Sequence, residues 1–354
     1  MNRTIPTCWV IDHPAHFQFF APFIRGGHED DILVLSSRPE VQAMFRAREG
    51  HLPHRPHLWV DRPVGAEIGR FRRLILARKR IQTVRSFLRE HPLVNRVVVK
   101  GASLEILAAK KEKRMERIYI SDTESNHIAH RLALRGATSI LLPESWRKGE
   151  ATRIVTDRRV KYYPGILPEL YLDIEQGNSM RNQAMSQLRE SIGGMTNEES
   201  AAPIVFHRRI IGGGIHDRGE IIDYQDWIRD IPVHFIHTKE SAIEATDGVW
   251  DMPIQIAMFD GVLTGSTTTA AEAVIHGMPT FLISKAERGF LDELEIRRPD
   301  LLFRWRDTLS DDFAAITRDW IDTMNESRRP FQIQKDIITF FEKELGPINK
   351  SKIE

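Results

Sequence analysis

Short apolar runs, each four to seven residues long and rich in β-branched side chains, alternate along this chain with segments of helical period. "CWVI" (8 to 11), "DILVLSS" (31 to 37), "RVVVK" (96 to 100), "RIYIS" (117 to 121) and "TSILLP" (138 to 143) form a first set. "IVFHR" (204 to 208), "VHFIHT" (233 to 238), "GVLTG" (261 to 265) and "TFLIS" (280 to 284) form a second. Alternation of this kind, with runs apolar enough to be buried on both faces, argues for a parallel sheet covered by helices. At 354 residues the chain also exceeds the size at which one core stops growing. The expected class is α/β, with two Rossmann-like doubly wound parallel-sheet domains facing a cleft. The expected boundaries are 1–170 for the first domain, 171–202 for a linker, 203–310 for the second domain and 311–354 for C-terminal helices bracing both. Within the linker, the polar stretch after Leu170 leads into "GGMTNEESAAP", whose Gly, Asn, Ser and Pro read as loop.

Composition excludes several classes. Hydrophobic residues at 41%, charged residues at 28% and a net charge of +1 describe a folded soluble chain, with no basic excess to favour nucleic acid. The single cysteine, Cys8, lies inside an apolar run and reads as a small buried hydrophobe; one cysteine allows no internal disulfide, which fits a reducing compartment. The N-terminus reaches Asp12 and His13 before a signal-type apolar stretch forms, and no stretch approaches the roughly 18 apolar residues of a membrane span. A cytoplasmic protein, peripheral to the membrane at most, is expected. No G-x-G-x-x-G follows a strand, which argues against a dinucleotide-dependent oxidoreductase.

The chemistry concentrates in "TGSTTTAAEAVIHGMP" (264 to 279), the turn from a strand into a helix. Backbone N–H groups at a helix start have no internal partners and sit at the positive end of the helix dipole, so Gly265, Ser266, Thr267 and Thr268 suit a phosphate. Glu272, one turn in, suits the vicinal hydroxyls of a ribose. Gly277 reads as the helix C-cap, with Pro279 opening the next strand. The bland alternative is an ordinary helix N-capped by Ser266 or Thr267.

Strand, small polar helix start, "xxxE" and "GxP" resemble the donor-site signature of GT-B glycosyltransferases and nucleotide-sugar epimerases. The resemblance implies that Ser266, Thr267 and Thr268 hold a diphosphate and that Glu272 holds the ribose. "IVFHRRIIGGG" is similar to the strand and His-Arg of non-hydrolysing UDP-N-acetylglucosamine 2-epimerases; His207, Arg208 and Arg209 match, while Ile210 and Ile211 replace the Glu-Asn that should follow. Arginine at a strand end pairs with phosphate, and Gly212 to Gly214, Gly213 among them, let backbone approach a ligand closely. A surface loop with solvated arginines fits the same letters. "IDHPAHFQFFAPFIRGGHE" resembles the opening of GT-B glycosyltransferases, which implies His16 as the base that deprotonates an acceptor hydroxyl, with Asp12 able to orient it. His13 and His16 also fit capping or packing roles, and no ligand set for a metal accompanies them.

The broadest resemblance is to the domain-of-unknown-function 354 family, GT-B-like proteins of archaea and bacteria. It is carried by "DHPAHFQFFAPFI", by "DTE" at Asp122 to Glu124 and by "YPGILPELYL" (163 to 172). Asp122 and Glu124 are acid/base candidates, or caps of the next helix; Glu169 reads as structural. The epimerases carry an Asp after the fourth strand, where this chain has Lys100, Gly101, Ala102 and Ser103. Glycosyl transfer demands less of the site than epimerisation does. The resemblance therefore implies a metal-independent glycosyltransferase with a UDP-sugar as donor substrate and no resident cofactor, serving glycan or glycolipid synthesis. A UDP-sugar 2-epimerase or hydrolase, and a non-catalytic nucleotide-sugar-binding protein, remain the alternatives.

A last feature is "RFRRLILARKRIQTVRSFLREH", in which eight basic residues, Arg70 to Arg89, precede the first acid, Glu90. Phe71, Leu74, Ile75, Ile81, Val84 and Leu88 recur at helical spacing. The blander expectation is that this apolar face packs on the sheet and the arginines are solvated. The sharper one is a helix lying on anionic lipid, bringing a lipid-linked acceptor to the cleft.

Overall fold

The computed structural model describes residues 4–61, 69–101, 104–112, 114–192, 202–209, 222–224, 226–239, 250–306, 311–324, 326 and 331–351. In the first domain the strands are β1 (Thr7–Ile11), β2 (Ile32–Ser36), β3 (His57–Val60), β4 (Arg96–Lys100), β5 (Glu116–Ile120), β6 (Ser139–Pro143) and β7 (Val160–Tyr163). Its helices are α1 (Pro14–Gly26), α2 (Pro39–Arg46), α3 (Arg70–Glu90), α4 (Leu104–Ala109), α5 (His127–Gly136) and α6 (Thr152–Val155). The seven strands run in the order β3-β2-β1-β4-β5-β6-β7, every pairing parallel. Strands β1, β2 and β6 are buried along their full length, as near-continuous apolar runs require.

Next come α7 (Ile174–Ile192), β8 (Ile204–Arg209), β9 (His234–Lys239), α8 (Met252–Gln255), β10 (Gly261–Thr264), α9 (Thr267–Ile275), β11 (Thr280–Ile283), α10 (Gly289–Arg297) and β12 (Leu302–Trp305). Their five strands form a second parallel sheet in the order β12-β11-β10-β8-β9. The two C-terminal helices, α11 (Asp311–Met324) and α12 (Lys335–Leu345), divide between the domains. Phe313 and Trp320 of α11 pack on Phe281 and Trp305 of the second sheet, whereas Ile337, Phe341 and Leu345 of α12 join the first core, with Phe341 against Phe19 and Tyr163.

Each sheet reverses its strand order once, between β1 and β4 and between β8 and β10. In a doubly wound fold the crevice outside the carboxyl ends of such a pair is where ligands bind, because flanking loops turn to opposite faces there. The loop after β1 is Asp12–His13, the one after β4 begins at Gly101, and the one after β10 is Gly265–Ser266.

Two contacts that local sequence patterns do not announce fix how the second half of the chain sits. Trp250, from the second half of the chain, is buried in the first core, 5.3 Å from Phe17 and stacked on His51; its Nε1 donates to the Met44 carbonyl at 2.9 Å. Helix α7, expected within a linker, packs on the second domain, where Arg181 pairs with Asp260 at 2.9 Å.

Candidate functional site

In the second domain, β8 and β10 lie side by side with Arg208 opposite Thr264, whose hydroxyl donates to the Arg208 carbonyl at 3.1 Å. Helix α9 begins three residues on, at Thr267. Ser266 is its N-cap, the hydroxyl accepting from the Thr269 amide at 3.3 Å, and no acidic residue stands in the first turn. The capping alternative and the phosphate reading are therefore compatible, since one side chain cannot satisfy all the amides that a helix start leaves open. Arg208 supplies what a bare cap would lack: its guanidinium reaches over this turn, Nη1 donating to Thr269 Oγ1 at 3.1 Å. At the far end Gly277 takes φ +76°, the left-handed C-cap conformation that its position in "HGMP" predicts.

Glu272 lies inside this arrangement, with 3% of its surface exposed. The Tyr171 hydroxyl donates to its Oε1 at 2.7 Å. Burial pushes the Glu272 carboxyl up to about 7, against the opposing pull of the Tyr171 hydrogen bond and the Arg208 charge. Burial and the neighbouring carboxylate together raise the Tyr171 phenol well above its ordinary range.

Adjacent strand residues point to opposite faces, and this separates His207 from Arg208. His207 is buried on the side of Tyr224 and His237, its Nε2 3.0 Å from the Tyr224 hydroxyl and its Nδ1 2.7 Å from His237 Nδ1. It does not share the α9 face with Arg208. Arg209 ends β8, but its side chain, like Gly212 to Gly214, lies outside the described residues.

In the first domain His16 is in the first turn of α1. The hydrogen bond linking it to Asp12 runs from the Asp12 backbone amide to His16 Nδ1, at 3.2 Å. The Asp12 carboxylate, expected to orient His16, meets Arg80 Nη2 at 3.3 Å, and Arg80 Nε donates to Glu105 at 2.6 Å. Arg80 is buried rather than solvated, because two carboxylates offset the cost of taking its charge out of water. An Nδ1 that accepts from an amide carries the lone pair, so the neutral His16 ring holds its proton on Nε2. His13 is a capping residue, its Nδ1 accepting from the Ala15 amide at 3.2 Å.

The strand-end acids diverge. Asp122 forms an ion pair with Lys100 at 2.9 Å, and both line a cavity at the base of the cleft together with Ala15, Tyr171 and Thr268. Glu124 is drawn away: its Oε1 accepts from the Gly289 amide at 2.9 Å and from the Arg147 amide at 3.2 Å. It does cap a helix, but that helix is α10 of the other domain. Burial raises its pKa, with both amides opposing. Gly289 is required at this contact, because a Cβ would run into the Ser145 carbonyl. Arg147 adds ion pairs to Asp292, at 2.6 Å, and to Glu287. The cavity itself measures about 30 Å³, room for roughly two waters. Glu169 is structural, as expected: it is fully buried and pairs with Arg297 through both oxygens, at 2.6 and 3.1 Å. Among the described residues no group of three metal-ligating side chains converges, and no helix is long and apolar enough to cross a membrane.

Solved structures identify the architecture. The UDP-GlcNAc 2-epimerase of Neisseria meningitidis, bound to UDP-GlcNAc, is similar with a TM-score of 0.62 at 10% identity, over 96% of this chain and 99% of that one. The fold is GT-B-like. UDP-GlcNAc 2-epimerases of Methanocaldococcus jannaschii (TM-score 0.60, 11% identity, 96% and 99% covered) and Rickettsia bellii (0.61, 11%, 97% and 95%) agree. No family model and no curated protein matches the sequence, so the resemblance to the domain-of-unknown-function 354 family gains no separate support.

Proposed function

We propose that this chain is an enzyme that binds a nucleotide diphosphate sugar, uridine-linked, in the cleft at the β8/β10 crevice, and transfers the sugar to an acceptor. The observation that carries the reading is the convergence at α9: amides and hydroxyls of its first turn, the Arg208 guanidinium over that turn, and the Glu272 carboxylate one turn further in. In this reading the diphosphate takes the helix start and Arg208, and the ribose hydroxyls take Glu272. The UDP-GlcNAc named with one structural neighbour supports the choice of uridine.

In the transfer, the acceptor oxygen forms a bond to the anomeric carbon as the bond from that carbon to the diphosphate breaks, and the electron pair leaves with the diphosphate. Arg208 and the α9 amides stabilise the charge that accumulates there. The acceptor proton goes to Asp122, which shares the cavity with Thr268. His16, with its proton on Nε2, contributes a hydrogen-bond donor rather than a base. Lys100 stands where an epimerase needs an acid, which favours transfer over epimerisation.

Thermal shift with a panel of nucleoside diphosphates, followed by assay of UDP release from UDP-sugars, tests the reading. UDP at one hundred times its dissociation constant should add about 2.7 kcal/mol of stability. No shift with any nucleoside diphosphate at millimolar concentration sinks the donor site. Conversion of a UDP-sugar to its C2 epimer without acceptor moves the reading to epimerase, and binding without turnover moves it to a nucleotide-sugar sensor.

A further inference from the structure

Helix α3 contradicts the expectation that its apolar residues all pack on the sheet. Val84 and Leu88 are buried, with Arg80 beside them, and Ile81 is packed against the same core. Phe71, Leu74 and Ile75 are 77%, 50% and 50% exposed. The reason is angular. Arg80 follows Phe71 by about two and a half turns, so the two occupy opposite faces, and Leu74 and Ile75 share the Phe71 face at i+3 and i+4. No rotation of the helix buries both sets. Arg78, at i+7, continues the outer face, and Arg72 and Lys79 flank it, all three exposed. Further along, Arg85 and Arg89 are paired with Glu112, at 3.0 and 3.2 Å, and α3 itself has no acid before Glu90.

Single exposed apolar residues are ordinary, but three on one helical face ringed by cations are not. We propose that the outer face of the N-terminal half of α3 docks on an anionic lipid bilayer, with Phe71, Leu74 and Ile75 entering the headgroup boundary and Arg72, Arg78 and Lys79 on the lipid phosphates. Charge complementarity selects this occupant. The chain as a whole carries a net charge of only +1, so the cationic surface is local and matches a negatively charged sheet rather than a generic partner. Topology gives the docking a consequence. Arg80, midway along α3, donates to the Asp61 carbonyl just after β3 at 3.2 Å and meets Asp12 just after β1, while Val84 and Leu88 pack on the core, so the N-terminal half of α3 extends past the carboxyl edge of the sheet, the edge that also carries the loops after β1 and β4. Ile128, 69% exposed in the first turn of α5, begins at that same edge. A bilayer contacting this rim lies beside the cleft mouth. The inference stands on the α3 surface alone and does not need the nucleotide reading.

Co-sedimentation of the full chain with vesicles tests it, using phosphatidylcholine alone and phosphatidylcholine mixed with phosphatidylglycerol. The chain should sediment with the mixed vesicles only, and should be released when salt rises from about 0.1 to about 1 M, as the screening length falls roughly threefold. Phe71→Ser with Leu74→Ser should abolish sedimentation at unchanged melting temperature, and Arg72→Ala, Arg78→Ala and Lys79→Ala should each weaken partition about fivefold. The proposal is overturned if the wild type stays in the supernatant, if it sediments equally with neutral vesicles, or if the double serine variant sediments like wild type. It is also overturned if that variant turns a dimer into a monomer while vesicle binding persists, which assigns the face to self-association.

Discussion

The Tyr171 hydroxyl donates to Glu272 Oε1 at 2.7 Å, so the carboxylate assigned to the ribose is already engaged by a side chain from the segment joining the two domains. A ribose hydroxyl and the Tyr171 phenol compete for the same acceptor. In the proposed binding mode a ribose hydroxyl takes the place of the Tyr171 phenol at this oxygen, so the bond breaks when nucleotide binds. Tyr171→Phe removes the competitor and should tighten UDP binding by up to about tenfold, the worth of one hydrogen bond, while lowering the melting temperature. Calorimetry checks the first effect; weaker binding in the variant would make Tyr171 a nucleotide ligand instead.

The same burial sets a pH dependence. Glu272 titrates at about 7 in the folded chain against an ordinary value of 4.5, so between those values the folded state holds a proton that the unfolded state has lost. Its contribution to stability is therefore fully present below about pH 4.5 and is lost as pH rises through about 7. Nucleotide binding runs the other way, because only the ionised carboxylate is a charge-assisted acceptor. UDP affinity should rise between pH 6 and 8, and Glu272→Gln should flatten both profiles. A UDP affinity independent of pH in the wild type would contradict this.

His16 is expected to act as a donor. His16→Gln keeps an N–H donor near the imidazole Nε2 position and should retain most turnover, whereas His16→Ala should lose about 10²-fold, the scale of one preorganised donor. Nitrogen NMR of the folded protein should report the Nε2–H tautomer. Equal loss in both variants, with Nδ1 protonated, would restore the role of base.

Much of this arrangement was legible in the sequence, and the exceptions share causes. The interior strands announce themselves as apolar runs. Strands β3, β7 and β12 did not, because they are sheet edges whose residues, such as His57, Lys161 and Arg304, keep one side toward water or an ion pair. The α9 start was readable because capping chemistry and phosphate chemistry use neighbouring residues. Arg80 was misread as solvated because helical periodicity locates a charge on a face but says nothing of Asp12 and Glu105 waiting there. Glu124 was readable as a carboxylate at a cleft edge; that it reaches α10 depends on how two domains meet, which no local pattern encodes.

That contact gives a further expectation. Glu124→Gln keeps an oxygen facing the Gly289 and Arg147 amides, so turnover should fall less than about tenfold, unlike the loss expected of an essential acid. Gly289→Ala, which forces a methyl against Ser145, should destabilise by about 1–3 kcal/mol. A turnover loss of about 10³-fold in Glu124→Gln, at unchanged stability, would return Glu124 to the chemistry.

The central claim, a nucleotide held at α9, is tested most directly by calorimetric titration of UDP into the wild type and Glu272→Gln at about pH 8, where the carboxylate is ionised. Glutamine keeps the size and helix propensity and replaces the charge-assisted acceptor with a neutral amide, which costs about 1.5–3 kcal/mol. The account predicts a dissociation constant at least tenfold weaker, about 1.4 kcal/mol, with no loss of thermal stability. An unchanged constant in the variant would contradict it.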